Sequence, residues 1–408
     1  SKQCDFEIIE MEQSIATAVY KEPVSIKKML LKCLPCSSSV NGHKELENNS
    51  PQRVQEMRAE FDAAILELKE AIKAIKKTGH EFYENKSTVA HEYRSKWKAE
   101  AVVAQDAYKR VREASFALFF ETDNPGNQVN EIVSMMNQDL IAQGQLAKCY
   151  LTTKKLLKIY PDNKDLYNLM GRVSILNNDF TFAQQYYETD KEQAEQLGVP
   201  EGALYGNSMD KLVTGYKREL ALRDSDAKGD PLPKAIIKTN RGEIVIELFE
   251  NQAPETVGNF VSLVQTGIYD GMIFHHVLRN LIADTGLMTM SRPQPVGYTI
   301  YDEHQRPDSR HHFRGSVAMV AKNNEPNSAA AEFRIMLVPG PNLDGKSTVF
   351  GRVISDMSIL DNIQETFQVN EEEDKEEFIK DAVPDVIESI TITNLRDHEY
   401  EPNRVKKK

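Results

Sequence analysis

Residues 253–260 read Ala253-Pro254-Glu255-Thr256-Val257-Gly258-Asn259-Phe260, and they lie in the region whose fold the sequence indicates most clearly. Pro254 suits the first turn of a helix, and the apolar positions 257, 260, 261 and 264 share one face of that helix. Just upstream, residues 235–238 and 243–249 alternate apolar and polar side chains around Thr239-Asn240-Arg241-Gly242. This pattern predicts a β-hairpin followed by a helix.

The rest of residues 232–397 consists of short apolar runs separated by turn residues. These runs predict strands at 272–278, 316–321, 333–338, 348–354 and 386–395. Residues 357–364 predict a second helix. Many short strands with two helices predict a closed antiparallel β-barrel that is capped by a helix at each end.

Short motifs occur through this region in a fixed order. They are Asn240-Arg241-Gly242, Tyr269-Asp270-Gly271, Phe274-His275, Gly297-Tyr298-Thr299-Ile300, Asp302-Glu303, Pro326-Asn327-Ser328, Leu343-Asp344-Gly345-Lys346 and Val349-Phe350-Gly351-Arg352-Val353. Together with residues 253–260, they resemble the cyclophilin family of peptidyl-prolyl cis-trans isomerases. The resemblance implies prolyl isomerase chemistry that uses neither a metal nor a cofactor.

A prolyl peptide bond rotates over a barrier of roughly 18–20 kcal/mol, with a small energy difference between cis and trans. A catalyst must hold the ring in an apolar pocket and donate a hydrogen bond to the prolyl nitrogen. In cyclophilins an arginine after Phe-His, a facing glutamine and an aromatic-lined pocket do this. Here the resemblance places His276 at the arginine, Asp284 at the glutamine and Arg334 at a pocket phenylalanine.

The other positions that the resemblance assigns to substrate binding are also altered. They hold Leu281, Ile282, Ala321, Glu332, Asn342, Leu343 and Ser347. We therefore expect a catalytically weak or inactive, chaperone-like adaptor that binds protein or peptide clients, including proline-containing ones. Two alternatives stay open: an active isomerase with Arg334 or His276 as the donor, and a structural scaffold.

The sequence before the barrel predicts helices, which makes the chain a multidomain α plus β protein. Residues 1–49 read as a loosely ordered arm, and Ser50-Pro51 predicts a helix start for a domain over 50–125. Apolar residues at heptad spacing follow: Val54, Met57, Phe61, Ala64, Leu68, Ala71 and Ile75. We expect this helix to break at Gly79 and a second to run from about Ser87 to Phe119. An antiparallel hairpin and self-association through the 54–75 seam are both open.

Residues 128–228 resemble tetratricopeptide repeats, which usually bind peptides or proteins. The residues that carry this resemblance are Tyr167, Met170, Gly171, Ala183 and Tyr187, with Pro161 as a closing proline. Small residues at 171 and 183 predict a close crossing of two helices. A capping helix is expected from about Ala203 to Leu222, and residues 223–233 read as a polar linker.

The composition narrows the classes of partner. A net charge of −12 over 408 residues argues against nucleic acid as the main partner. No apolar run is long enough for membrane insertion. Cys33 and Cys36 have the spacing of a redox pair but read as bystanders. Residues 398–408 read as a basic tail, of which residues 404–408 form a solvated end. By analogy with bacterial multidomain forms, and because Ser1 stands first, we expect the cell envelope, with the cytoplasm as the alternative.

The histidines suggest a further possibility, because five of the nine lie close together in sequence. They are His275, His276, His304, His311 and His312. His275 belongs to the Phe-His motif, and the resemblance implies no metal. We therefore expect no metal site.

Overall fold

The computed structural model describes residues 51–84, 90–189, 209–291, 293, 296–322, 325–370 and 375–405. The predicted arm and the Cys33–Cys36 pair lie outside these residues. The described chain begins with two long helices, α1 (Pro51–Glu84) and α2 (Ala90–Glu121). Pro51 opens α1, as the sequence predicts.

Helices α1 and α2 form an antiparallel hairpin. Ion pairs join Arg53 to Glu121 and Glu67 to Arg110, so the start of α1 lies beside the end of α2. The heptad residues of α1 supply part of the contact, and Phe61 is 2% exposed. The structure therefore has the antiparallel hairpin, one of the two arrangements that the sequence leaves open. Self-association through the same seam would require these residues of α1 to give up their contacts with α2. It stays a prediction.

Helix α1 does not break at Gly79 but continues to Glu84, so the predicted break is wrong. A glycine costs a helix only about 1 kcal/mol relative to alanine. Here Gly79 is buried, and the neighbouring Thr78 hydroxyl donates to Glu100 of α2 at 2.8 Å. Packing against α2 outweighs the low helix propensity of one residue.

Four shorter helices follow, and consecutive ones pack against each other. They are α3 (Asn127–Ala142), α4 (Leu146–Ile159), α5 (Lys164–Leu176) and α6 (Phe180–Thr189). A Cβ atom on Gly171 would lie 2.4 Å from the Tyr186 ring, so α5 and α6 approach closely at this glycine. The side chain of Tyr187 lies outside the described residues. The helical character of this half is established, whereas its assignment to tetratricopeptide repeats stays a prediction.

Helix α7 (Met209–Lys228) overlaps the predicted linker, which is therefore wrong for residues 223–228. The polar residues of this stretch are helical because they have partners in the β domain, as we call residues 232–397. Asp226 of α7 pairs with Arg310, which is fully buried. Residues 203–208 of the predicted capping helix lie outside the described part of the chain.

Ten strands form one sheet within the described residues. They are β1 (Lys234–Thr239), β2 (Gly242–Leu248), β3 (His276–Leu278), β4 (Ile282–Thr285), β5 (Ser316–Met319), β6 (Phe333–Met336), β7 (Val349–Val353), β8 (Phe367–Asn370), β9 (Lys375–Phe378) and β10 (Ile387–Thr393). Their order is β10-β1-β2-β7-β5-β6-β4-β3-β8-β9, and only β3 and β8 pair in parallel. The β domain is thus a curled, mostly antiparallel sheet.

The core of the β domain lies between this sheet and helix α8 (Pro254–Gln265). Val257, Phe260 and Val261 of α8 are buried, as their shared face predicts. The Phe260 and Phe333 rings meet edge to face with centroids 5.6 Å apart. Phe333 is therefore a core residue and not part of a surface pocket.

Two details of the predicted barrel differ from the structure. Only residues 276–278 of the predicted 272–278 strand are regular strand, because Met272 and Ile273 make isolated bridges. The second predicted helix is a 3₁₀ helix, Met357–Asn362. The Phe274 N–H donates to the Asp385 carbonyl, which brings the segment before β3 close to the segment before β10. Full closure with a helix over each end stays a prediction.

The C-terminal residues 398–405 contact the β domain, and Arg404 within the predicted solvated end is exposed. The side chains of His398 and Tyr400 both bond to Glu250, and Tyr400 is 8% exposed. The Arg404 guanidinium lies 4.4 Å from the centre of the Tyr298 ring. Paired carboxylates and an aromatic face explain why this charged segment is ordered. Residues 406–408 are outside the described chain.

The helical half packs directly on the β domain. Asn178, which follows α5, bonds to both the N–H and the carbonyl of Arg314 at 3.0 Å. Apolar contacts accompany these bonds, with Phe180 and Phe313 meeting edge to face at 5.8 Å.

None of the helices in the described residues is long and apolar enough to cross a membrane.

Candidate functional site

Three neighbouring strands bring His276, Asp284 and Arg334 together. In the register of the sheet, Asp284 on β4 lies opposite His276 on β3 and also opposite Arg334 on β6. Directly opposed residues in a sheet project from the same face. The three predicted catalytic positions therefore form one row across the sheet.

This row is linked by charged hydrogen bonds. The Arg334 Nε and Nη2 groups donate to the two Asp284 carboxylate oxygens at 2.8 and 2.7 Å, which is a forked pair. His276 Nδ1 lies 3.2 Å from Asp284 Oδ2, and its Nε2 lies 2.8 Å from Glu376 Oε2 on β9. Each group at the candidate catalytic positions is thus bonded to another group of the site.

The bonds favour the charged forms of these side chains. Burial alone would raise the pKa of Asp284, but hydrogen bonds from Arg334 and His276 outweigh it and the pKa lies below its usual value. The hydrogen bond with Asp284 raises the pKa of His276 against the effect of burial, and Glu376 adds to the rise. Burial opposes the charge on Arg334, yet its bonds to Asp284 raise its pKa. The pairing along the row therefore favours the charged forms of Arg334, Asp284 and His276.

An apolar cluster lies beside the charged row. Its buried members are Leu278, Ile282 and Met336, and Leu343 and Phe367 pack against them. The Phe367 ring meets the His276 ring edge to face with centroids 4.8 Å apart. The site therefore combines an apolar floor with a row of paired charges.

Comparisons with known proteins assign a family to the strands that form this site. A family model for cyclophilin type peptidyl-prolyl cis-trans isomerases matches residues 234–391. The peptidyl-prolyl cis-trans isomerase ppi1 of Schizosaccharomyces pombe is 39% identical over 127 residues, which cover 30% of this chain and 79% of that protein. This chain belongs to the cyclophilin family.

Two further proteins are similar to this chain. A Helicobacter pylori peptidyl-prolyl cis-trans isomerase is 36% identical over 133 residues, covering 32% of this chain and 80% of that protein. A solved Cryptosporidium parvum cyclophilin is 27% identical with a TM-score of 0.34, covering 40% of this chain and 98% of that one. The family model begins after the helical half ends, so the family assignment concerns the β domain.

The remaining predicted positions of the cyclophilin site are spread around this row. Leu281 is 38% exposed, and Asn342 is exposed next to Leu343 in a 3₁₀ turn. The Ser347 hydroxyl donates to the Met319 carbonyl at 2.6 Å. Glu332 lies next to the row, with its carboxylate 3.1 Å from His275 Nε2. Ala321 is half-buried after β5. Ile282 and Leu343 are the two that the structure brings into the apolar floor.

The sequence gives no indication of the β8–β9 hairpin, which contributes Glu376 and Phe367 to the site. Its residues between 370 and 378 are mostly acidic and do not alternate, so they read as a loop. The sequence feature that marks the hairpin is its pair of phenylalanines, Phe367 and Phe378. In the structure they lie opposite each other on β8 and β9, with ring centroids 5.5 Å apart.

Two of the clustered histidines, His311 and His312, share the carboxylate of Asp344. His312 Nδ1 lies 2.8 Å from Asp344 Oδ1, and His311 Nδ1 lies 3.5 Å from the other Asp344 oxygen. In the described part of the chain, no group of three or more metal-ligating side chains is arranged to hold an ion.

Proposed function

We propose that this cyclophilin-family domain binds extended protein or peptide segments as an adaptor and accelerates prolyl isomerisation weakly or not at all. The observation that carries the proposal is the linked row of Arg334, Asp284, His276 and Glu376. The catalyst that the family resemblance implies needs a donor directed at the prolyl nitrogen. In this row the candidate donors are directed at carboxylates of the protein.

His276 is a poor substitute for the family arginine. A protonated imidazole has two N–H donors, and both ring nitrogens of His276 lie within hydrogen-bond distance of a carboxylate. Its ring is also held edge to face against Phe367. To donate to a substrate, His276 would have to give up a charged hydrogen bond to Asp284 or Glu376.

The apolar floor supports binding without requiring catalysis. Leu278, Ile282 and Met336 are buried and Leu343 is half-buried beside them, which suits a proline ring or an aliphatic side chain. Ligand sites of this kind gain affinity from apolar contact and orientation from a few polar groups. Glu332 and Glu376 are partly exposed and supply such groups with negative charge.

One observation favours the alternative of an active isomerase. The Arg334 guanidinium has five N–H donors, and its fork with Asp284 uses two of them. Its side chain is 21% exposed, so the remaining donors are within reach of a bound peptide. In that case Asp284 would position Arg334 as the donor.

A prolyl-isomerisation assay on a proline-containing tetrapeptide separates the two functions. The full chain would be compared with the Arg334→Ala variant and with Arg352→Ala, a matched change at a strand arginine that pairs with Glu247. Loss of one positioned donor costs about 10²–10³ in rate. We expect all three proteins to stay near the uncatalysed rate.

The active alternative predicts a different pattern in the same assay. Wild-type chain and Arg352→Ala would accelerate the reaction, and Arg334→Ala alone would lose the acceleration. Binding of the same peptide, followed by fluorescence anisotropy, tests the adaptor function directly. Wild-type chain should bind, and Ile282→Asp should weaken binding by placing a carboxylate in the apolar floor. A wild-type chain that neither binds nor isomerises the peptide would contradict the proposed function.

A further inference from the structure

Strand β9 ends the sheet next to the candidate site. It pairs with β8 on one side, and no other described strand pairs with it on the opposite side. All four of its residues, Lys375–Phe378, are exposed. An edge strand presents a row of backbone donors and acceptors that can pair with another chain.

The register shows which backbone groups face outwards. The Ile379 N–H donates to the Thr366 carbonyl at 2.8 Å, so residues 366 and 379 are a hydrogen-bonded pair. Such pairs alternate along an antiparallel ladder. The N–H and carbonyl groups of residues 375 and 377 therefore point to β8, whereas those of Glu376 and Phe378 point outwards. Within the described chain these outward groups have no hydrogen-bond partner.

The side chains of Glu376 and Phe378 share one face of β9, because side chains two positions apart point the same way. This face is the one directed at the site, since Glu376 bonds to His276 and Phe378 meets Phe367. Phe378 is 55% exposed, and Val369 on the paired strand is 51% exposed. The edge thus offers an apolar surface and a carboxylate at a spacing of two residues.

The charge of this edge selects among the possible occupants. Pairing of β9 with a second copy of itself would bring together strands that each carry Glu376 and Glu377, and like charges across a sheet are unfavourable. A strand with Lys or Arg would place opposite charges next to each other. The net charge of −12 favours a basic partner in the same way.

We propose that the outer edge of β9 binds a basic peptide segment as an added strand. The segment has an apolar residue against Phe378 and a Lys or Arg against Glu376, two positions apart on the same face. This proposal rests on the proposed peptide-binding function and names the class of client. The added strand would lie beside β9, with β9 and β8 between it and His276 on β3.

The test uses the full chain and the end-blocked peptide acetyl-Thr-Leu-Thr-Lys-Thr-amide, followed by NMR titration at physiological ionic strength. The matched peptide has Glu in place of Lys and should bind at least about tenfold more weakly, because its charge repels Glu376. The protein variant Glu376→Lys should weaken binding of the Lys peptide by a similar factor. The control Glu377→Lys makes the same change in net charge on the opposite face of β9. Its affinity for the Lys peptide should stay within about twofold of the wild-type affinity.

Amide hydrogen exchange gives a second readout that depends on the backbone. Bound peptide should slow exchange at the amides of Glu376 and Phe378 and leave that of Glu377 unchanged, because the latter already faces β8. Binding of both peptides with equal affinity, or no protection at 376 and 378, would overturn the strand-addition proposal.

The pattern of failure distinguishes this proposal from the one on which it rests. If the proline tetrapeptide binds and Ile282→Asp abolishes its binding, while the Lys peptide leaves β9 unchanged, the adaptor function stands and strand addition fails. If neither peptide binds anywhere on the β domain, both proposals fail.

Discussion

Two of the arginine–carboxylate networks in the described part of the chain differ clearly in burial. Arg310 is fully buried where α7 meets the β domain, and it pairs with Glu219 at 3.1 Å and with Asp226. Arg334 in the candidate site pairs with Asp284 but keeps a side-chain exposure of 21%. The same type of ion pair therefore joins α7 to the β domain at Arg310 and forms part of a surface site at Arg334.

The difference lies in what else each arginine can contact. The Arg310 guanidinium also lies 4.0 Å from the centre of the Phe249 ring and is enclosed on all sides. Arg334 and its neighbour His276 remain partly open to solvent and to a ligand. Burial commits the first network to structure, whereas the second can change partners.

The largest effect is expected for Arg310→Met. This change leaves the carboxylates of Glu219 and Asp226 buried with no opposite charge from Arg310. Breaking a buried pair in this way costs about 3–5 kcal/mol of unfolding free energy, which urea denaturation measures. The control Arg352→Met removes a partly exposed pair with Glu247 and should cost about 1 kcal/mol or less. Equal losses in the two variants would contradict the structural role of Arg310.

Arg334→Ala should destabilise the chain less than Arg310→Met. Asp284 loses its forked partner but keeps His276 3.2 Å away. Loss of a hydrogen bond to a buried acceptor lowers the unfolding free energy by about 1–3 kcal/mol. Urea denaturation of Arg334→Ala and Arg310→Met compares the two losses. A loss as large as that of Arg310→Met would mean that the site network is also a structural one.

Glu376→Gln should change the titration of His276. The hydrogen bonds with Asp284 and Glu376 raise the pKa of His276, so removal of the Glu376 charge should lower that pKa. The imidazole resonances of His276 in NMR spectra measure the shift, with Glu377→Gln as the matched control. An unchanged pKa in Glu376→Gln would show that β9 does not contact His276 in solution.

The smallest effect concerns the pH dependence of stability. The pKa of His276 is raised above its ordinary value of 6.5, so its stabilising contribution is full below that pH and is lost as pH rises through the raised pKa. The pKa of Asp284 is lowered from 3.8, so its contribution is present above that pH and is lost as pH falls through the lowered pKa. The unfolding free energy of His276→Asn should therefore differ most from that of the wild type between pH 3.8 and pH 6.5, the ordinary pKa values of the two groups. Urea denaturation midpoints of both proteins across this pH range measure the difference. A difference that does not change with pH would contradict the pairing of His276 with Asp284.

The sequence predicts much of the fold because local patterns and burial agree there. The β1–β2 hairpin, α8 and the strand around Phe333 follow directly from alternation and from one apolar face. Strand β4 (Ile282–Thr285) is buried on both faces, so it lacks the alternation that identifies a strand. The pairing of Arg310 with Asp226 joins residues that are 84 positions apart, which no local pattern reveals.

The site shows the same limit. The row of His276, Asp284 and Arg334 was predictable, because the family motifs fix which strand positions face each other. Glu376 was not, since it comes from an acidic hairpin that joins β3 through a single parallel register pair, Leu278 with Phe367, and through the bonds of Thr366. Tertiary pairing of a segment without periodicity is decided by the rest of the fold.

The most direct test of the weak-catalysis account is to restore the family residues in the full chain. The triple variant His276→Arg, Asp284→Gln, Arg334→Phe replaces the linked row by a donor, its partner and a pocket ring. We expect it to isomerise a proline-containing tetrapeptide at least about 10²-fold faster than the wild-type chain, because a positioned donor contributes that much. Arg334→Phe alone supplies no donor and should stay at the wild-type rate. A wild-type chain that already matches a folded triple variant would contradict the account.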